Sequence, residues 1–147
     1  MTELLYQTDS YLQEFDATIM SADGEMRAVI LDRSAFYPGG GGQPCDLGAL
    51  TAAGTVYPVQ KVKKQSDDVL HFLGGDAPLP SVGAAVHGIV DWERRYQLMR
   101  THTAMHVLCG VVFRDYGAQV TGGEMEPLAG RMDFEFATMR AELVHEI

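Results

Sequence analysis

Apolar and polar positions alternate through residues 13–20, which puts Phe15, Ala17 and Ile19 on one side. The same period returns in residues 25–31 through Met26, Ala28 and Ile30. A period of two belongs to a half-buried strand. Ser21-Ala22-Asp23-Gly24 stands between the two stretches, and Asp-Gly is a hairpin signal. The pattern predicts a β-hairpin. Further short strands are predicted at residues 48–51, 55–63, 69–73 and 84–90. Turn residues Ala52-Ala53-Gly54, Asp67-Asp68 and a Gly/Pro-rich loop over 74–83 separate them. Pro58 cannot donate to a ladder, so its strand is expected at a sheet edge or with a bulge. Strands at this spacing predict a small β-barrel or sandwich over residues 1–90.

The period changes after Asp91. Leu98, His102, Met105, Cys109, Val112 and Tyr116 recur at steps of four and three, the stripe of an amphipathic helix. Asp91 is placed to cap its start and Gly117 its end. Thr101, Thr103 and Gly110 are weak helix formers, which leaves a break near Thr101 as an alternative. Strands are predicted at 118–125 and 131–136, with Pro127 and Gly130 in the connection. Thr138 is placed to cap a last helix striped by Met139, Leu143 and Ile147. The expected fold is therefore α+β: a β-barrel with a glycine-rich loop over 1–90, then over 91–147 the first part of a two-layer α+β domain. The last helix stops in mid-pattern. The second domain is expected either to be incomplete as given or to cover its apolar side by self-association.

Composition narrows the class. Of 147 residues, 46% are hydrophobic and 21% charged, the balance of a globular chain. No apolar run reaches the ~18–20 residues of a membrane span, and no secretory signal opens the chain. A cytoplasmic location is the expectation. Cys45 and Cys109 read as free thiols. The net charge of −9 argues against broad, non-specific nucleic-acid binding. Local phosphate contacts stay open: Lys61, Lys63 and Lys64 fall together, and Arg94, Arg95 and Arg100 precede the histidines. Each cluster reads equally as solvated charge.

His102 and His106 are one helical turn apart, so both imidazoles reach one metal ion. Zinc takes about four ligands, or three and a water. By itself the pair reads equally as half a metal site or as ordinary helix histidines. His71, His87 and His145 stand alone, and no His-Glu-x-x-His pattern supplies a metalloprotease base. Cys109 points about a turn away, and Cys45 lies beside the glycine run. The run itself, Gly39 to Gly42, has neither the Lys-Ser/Thr of a phosphate loop nor dinucleotide spacing. It is a loop whose backbone either approaches something closely or is simply flexible.

Three motifs in order carry a resemblance. They are Phe36-Tyr37-Pro38…Gly41-Gly42-Gln43-Pro44…Asp46…Gly48; Asp91…Arg94-Arg95…Met99-Arg100…His102-Thr103-Ala104-Met105-His106-Val107-Leu108; and the stretch from Gly117 to Phe136 that contains Arg131-Met132-Asp133-Phe134. The sequence resembles the alanyl-tRNA editing proteins of the AlaX group, in their medium or long form, and the editing region of alanyl-tRNA synthetases. The resemblance implies a zinc-dependent aminoacyl-tRNA deacylase that clears mischarged tRNA(Ala) of serine, with glycine as a further candidate. It makes His102 and His106 the first two zinc ligands. Thr121 and Gln43 become candidate catalytic residues, Thr121 through a hydroxyl that can meet a seryl side chain. Gly40, Gly41, Gly42, Asp46 and Arg100 become candidate contacts to the aminoacyl group and the tRNA(Ala) acceptor end.

Two departures qualify this. The family's second zinc motif, Cys-x-x-x-His, falls after Ile147, so two of four expected ligands are present. Val120 stands where the synthetase editing regions carry glutamine. The chain is thus expected to lack full editing activity in isolation. The alternatives are a non-catalytic tRNA- or protein-binding fragment with an empty metal site, and a zinc hydrolase acting on another ester or amide.

Overall fold

The structure is a computed structural model, and it describes residues 1–137 of the chain. The helix expected from Thr138, with Met139, Leu143 and Ile147, lies outside the described residues, as does His145. In chain order come β1 (Glu3–Leu4), a 3₁₀ turn (Leu5–Gln7), β2 (Glu14–Asp23), β3 (Ala28–Leu31) and β4 (Arg33–Ser34). Then follow β5 (Gly48–Ala52), β6 (Thr55–Gln65), β7 (Asp68–Leu73) and β8 (Ala85–Val90). Helix α1 (Trp92–Tyr116) and the strands β9 (Gln119–Glu126) and β10 (Ala129–Glu135) complete the described chain. The fold is α+β with a β-barrel, and it divides into two compact units. The first holds Met1–Gly40 and Pro44–Arg95, the second Gly41–Gln43 and the chain from Tyr96 onward.

The first unit is built on a closed six-stranded barrel in the order β2-β3-β7-β6-β5-β8. Closure removes the free edges that an open sheet must protect. Phe15, Ala17 and Ile19 point inward, as their alternation predicts. On β3 it is Val29 and Leu31 that enter the core, and Ile30 stays half-exposed. The cause is pairing: Leu31 sits opposite Ile19, and a bulge follows between Ile19 and Ser21. Directly opposed residues share a face, so Leu31 follows Ile19 into the core. The hairpin turn also lies later than Asp-Gly suggests, at residues 24–27, with the Asp23 carboxylate accepting the Met26 N–H at 2.9 Å. Pro58 is not on an edge, because β6 pairs on both sides; the bulge lies beside it, between Val59 and Lys61. Lys61, Lys63 and Lys64 are all exposed on this strand. A short parallel pair, β1 with β4, has no forewarning in the hydrophobic pattern.

His71 lies inside this unit with no exposed surface, its ring edge-on to Phe36 with centroids 5.6 Å apart. Its Nε2 is 2.7 Å from the Ser34 hydroxyl and its Nδ1 3.4 Å from the Val29 carbonyl oxygen. A neutral ring satisfies both: Nδ1–H donates to Val29, and the Ser34 hydroxyl donates to Nε2. Burial drives its pKa from 6.5 down to about 4, against the opposing pull of backbone hydrogen bonds. The unfolded chain therefore binds a proton that the folded chain refuses between those values. Stability is complete above about pH 6.5 and falls as pH drops toward 4, by on the order of 3 kcal/mol in all. About 2 kcal/mol of that loss is expected between pH 7 and pH 5. Urea denaturation at the two pH values measures it. In His71→Leu, the difference in stability between the two pH values should shrink by that amount, whatever its absolute stability.

In the second unit α1 runs unbroken through the region where a break was an alternative. The Thr101 and Thr103 hydroxyls donate to the carbonyls of Gln97 and Met99 at 3.0 Å each, so neither competes with the helix from outside it. Asp91 caps the start by accepting the Arg94 N–H at 3.2 Å. Gly117, at φ 67°, ends the helix with its N–H on the Phe113 carbonyl at 2.9 Å. Strands β9 and β10 form an antiparallel hairpin in which Glu126 faces Ala129. The connection is thus only Pro127-Leu128, and Gly130 lies within β10 opposite Met125. No helix among the described residues is long and apolar enough to cross a membrane.

Candidate active site

The site lies wholly in the second unit. Helix α1 presents His102, Met105, His106 and Cys109 toward the β9–β10 hairpin. Close packing here depends on glycine. A side chain at Gly130 would meet Met105 Sδ at 2.8 Å, and one at Gly123 would meet Met105 Cε at 3.3 Å. The missing Cβ atoms make room for the methionine.

The tip of the glycine loop covers one side. Gly41 and Gly42 have φ of 61° and 83°, a left-handed pair that only glycine adopts at little cost. The Gly42 carbonyl accepts the Met125 N–H at 3.0 Å, which pins the loop to β9. A Cβ on Gly42 would run into the Gly123 carbonyl. Gly42→Ala is therefore expected to lift the tip off β9. Hydrogen exchange would report this as faster exchange at the Met125 amide, with the barrel amides unchanged.

Together these parts border an open recess of about 190 Å³, lined among others by Gly42, Gln43, His102, His106, Gly123 and Met132. That is below the ~300 Å³ at which ordinary ligand pockets begin, and suits a small group held at a mouth better than a whole nucleotide. The Nε2 atoms of His102 and His106 converge 2.9 Å apart. The other nitrogen of His102, Nδ1, lies 2.9 Å from Gln43 Oε1. Two ligands each about 2.0–2.1 Å from one zinc can span such a separation. Metal-binding histidines ordinarily donate their second ring N–H to an oxygen, the place Gln43 occupies. The donor set thus fits zinc through two imidazoles. Among the described residues no cluster of three or more His, Cys, Asp or Glu could hold a metal.

The remaining candidates are distributed. Thr121 is the extra residue of a bulge in β9, since Gly122 faces Asp133 and Val120 faces Phe134. Its hydroxyl donates to the Asp133 carbonyl at 3.2 Å, while its neighbours Val120 and Gly122 line the cavity. Arg100 is exposed and lines a different recess, with Met105, Leu108 and Phe134. Gly40 and Asp46 belong to the first unit. There the Gly40 carbonyl accepts the Tyr37 hydroxyl at 3.2 Å. Asp46 is 1% exposed, accepts the Tyr37 N–H at 2.6 Å and forms an ion pair with Arg95. The Asp46 N–H donates to the Tyr37 carbonyl at 2.9 Å, so this pair closes the base of the glycine loop. Arg95 also donates to the carbonyls of Ser10 and Ala35. It is a buried tie in the first unit rather than a surface cation.

The sequence does not single out Gly122 or Gly123, and it names Met105 and Met132 only as members of the helix stripe and of the motifs. The signal for the first two was available: paired glycines inside a predicted strand mark a close approach by another segment.

The sequence pattern of the family described as tRNA synthetases class II (A) matches residues 6–94, more than half the chain. The chain belongs to that family. This class II match ends before the two histidines, so likeness over the second unit comes from individual relatives. Alanyl-tRNA editing protein AlaX-M of Saccharolobus solfataricus is 40% identical over 150 residues, covering 99% of this chain and 62% of the relative. AlaX-M of Methanosarcina mazei is 40% identical over 148 residues, 97% of this chain and 59% of the relative. The alanine–tRNA ligase of Ignicoccus hospitalis is 42% identical over 135 residues, 90% of this chain but 14% of the ligase. The chain thus spans about three-fifths of the AlaX-M proteins it matches.

Proposed function

We propose that the chain contributes to hydrolysis of the ester in mischarged aminoacyl-tRNA(Ala), with serine as the amino acid removed and glycine as a second substrate, in the cytoplasm where charged tRNA is used. The observation that carries this is the convergence of His102 and His106 Nε2, 2.9 Å apart, beside a small cavity. The similarity to AlaX-M proteins, over nearly all of this chain and about three-fifths of theirs, suggests the substrate class.

The two imidazoles would hold zinc, with remaining positions filled by water or by donors beyond the described residues. When bound, zinc supplies a Lewis acid and a water of lowered pKa. The protein's own groups do the rest. The cavity admits the aminoacyl end, and the glycine backbone at Gly41 and Gly42 bounds its size. Thr121 lies between two residues of the cavity wall, and its hydroxyl would have to leave the Asp133 carbonyl to meet a seryl side chain. Arg100 offers a charge for a phosphate of the acceptor end. Asp46 acts at one remove, by closing the loop base in the first unit.

The test is deacylation of Ser-tRNA(Ala) by the protein with zinc supplied. The expected result is hydrolysis faster than in buffer, lost in His102→Ala and His106→Ala, though slower than a four-ligand site would give. No acceleration over buffer would overturn the hydrolase reading and leave a tRNA-binding module.

A further inference from the structure

The glycine loop has a role that neither a flexible linker nor a size filter explains. We infer that Gln43 is a positioning residue: its side-chain carbonyl selects the tautomer of His102 and so aims that ring's lone pair at the partner histidine. The metal consequence rests on the zinc reading above; the tautomer does not.

The hydrogen-bond chain determines the protons. The Gln43 amide is turned with Oε1, an acceptor only, 2.9 Å from His102 Nδ1, and in that orientation Nδ1 carries the proton. A neutral ring protonated at Nδ1 carries its lone pair at Nε2. That atom lies 2.9 Å from His106 Nε2, which must then be the donor. The metal-free state is therefore His102 protonated at Nδ1 and His106 at Nε2. A metal entering between them takes the His102 lone pair as it stands. It requires His106 alone to move its proton to Nδ1. One of the two ligands is thus preset by the loop, whereas a histidine without that acceptor favours Nε2–H, which presents N–H where the lone pair is needed.

The loop is built to deliver this contact. Gln43 follows directly on Gly41 and Gly42, whose left-handed φ values turn the chain. The Met125–Gly42 hydrogen bond and the bare Gly42–Gly123 contact hold the turn against β9. A rigid anchor one residue away limits where the Gln43 amide can go. Among the other side chains of the cavity wall, Met105, Met125 and Met132 carry only weakly accepting thioethers, and Cys109 Sγ is turned to Met132 Sδ at 3.9 Å.

The experiment is ¹⁵N imidazole NMR of the metal-free chain, with zinc affinity measured in parallel by competition with a chelating dye. In the wild type His102 is expected to show the Nδ1–H pattern and His106 the Nε2–H pattern at a pH where both are neutral. Gln43→Ala should return His102 to a mixture dominated by Nε2–H and weaken zinc by about 10–100-fold. Gln43→Glu, which keeps an acceptor oxygen, should restore the Nδ1–H pattern. An unchanged His102 tautomer in Gln43→Ala would overturn the inference, whatever the metal does. A wild type that takes up no zinc would instead defeat the metal reading, and the tautomer data would still judge Gln43.

Discussion

Replacing Arg95 by alanine is expected to destabilise the first unit by about 3–5 kcal/mol, a large share of the ~5–15 kcal/mol that holds a domain folded. The side chain is 4% exposed and its partner Asp46 1%. Removing the guanidinium strands the Asp46 carboxylate in the interior with the Tyr37 N–H as its remaining donor. It also orphans the carbonyl of the buried Ala35 and releases that of Ser10, on an exposed residue, to solvent. Lost desolvation compensation, rather than the worth of the ion pair itself, sets the size of the effect. Asp46→Ala should cost a similar amount for the mirror reason. The double change Asp46→Leu with Arg95→Met removes both charges together and should be less harmful than either single change to alanine. Urea midpoints at constant slope measure all three. A loss below about 1 kcal/mol for Arg95→Ala would mean that water reaches the pair.

The largest functional effect is expected at the histidines. His102→Ala and His106→Ala remove exposed side chains, so stability should change by no more than about 0.5 kcal/mol. Zinc affinity should fall by more than the roughly 10–100-fold that loss of a supporting residue costs, because a ligand itself is gone. The contrast with Arg95 separates the two kinds of residue. Arg95 carries the fold of its unit and no exposed chemistry; the histidines carry chemistry and almost none of the fold. Isothermal titration with zinc beside urea denaturation of the same variants reads both quantities.

Much of the barrel was legible because its strands alternate and its turns carry Gly, Asp and Ala-Gly pairs. The two-residue turn at Ala53-Gly54, with φ of 47° and 80°, falls where the pattern breaks. What misled was register. Ile30 and Leu31 are both good core residues, and only the cross-strand partner Ile19 decides between them. Pairing partners far along the chain are not a local property. Pro58 left edge and bulge open, and the pairing on both sides of its strand, with the bulge beside it, decides for the bulge. The histidine pair was visible from spacing alone. Its meaning was not, because Gln43 lies 59 residues upstream of His102 and nothing local announces that their side chains meet. Asp46 and Arg95 show a second limit. The resemblance makes Asp46 a candidate contact and the sequence leaves Arg95 open between phosphate contact and solvated charge; their burial against one another, 49 residues apart, is not a local property.

The account stands or falls on whether His102 and His106 share one metal ion. Zinc titration into the ¹⁵N-labelled chain, followed through both imidazole Nε2 resonances, tests this most directly. The account predicts that both Nε2 signals shift together and saturate at one zinc per chain, with His106 changing tautomer and His102 keeping its own. Zinc that leaves either Nε2 signal unmoved at saturation would contradict it.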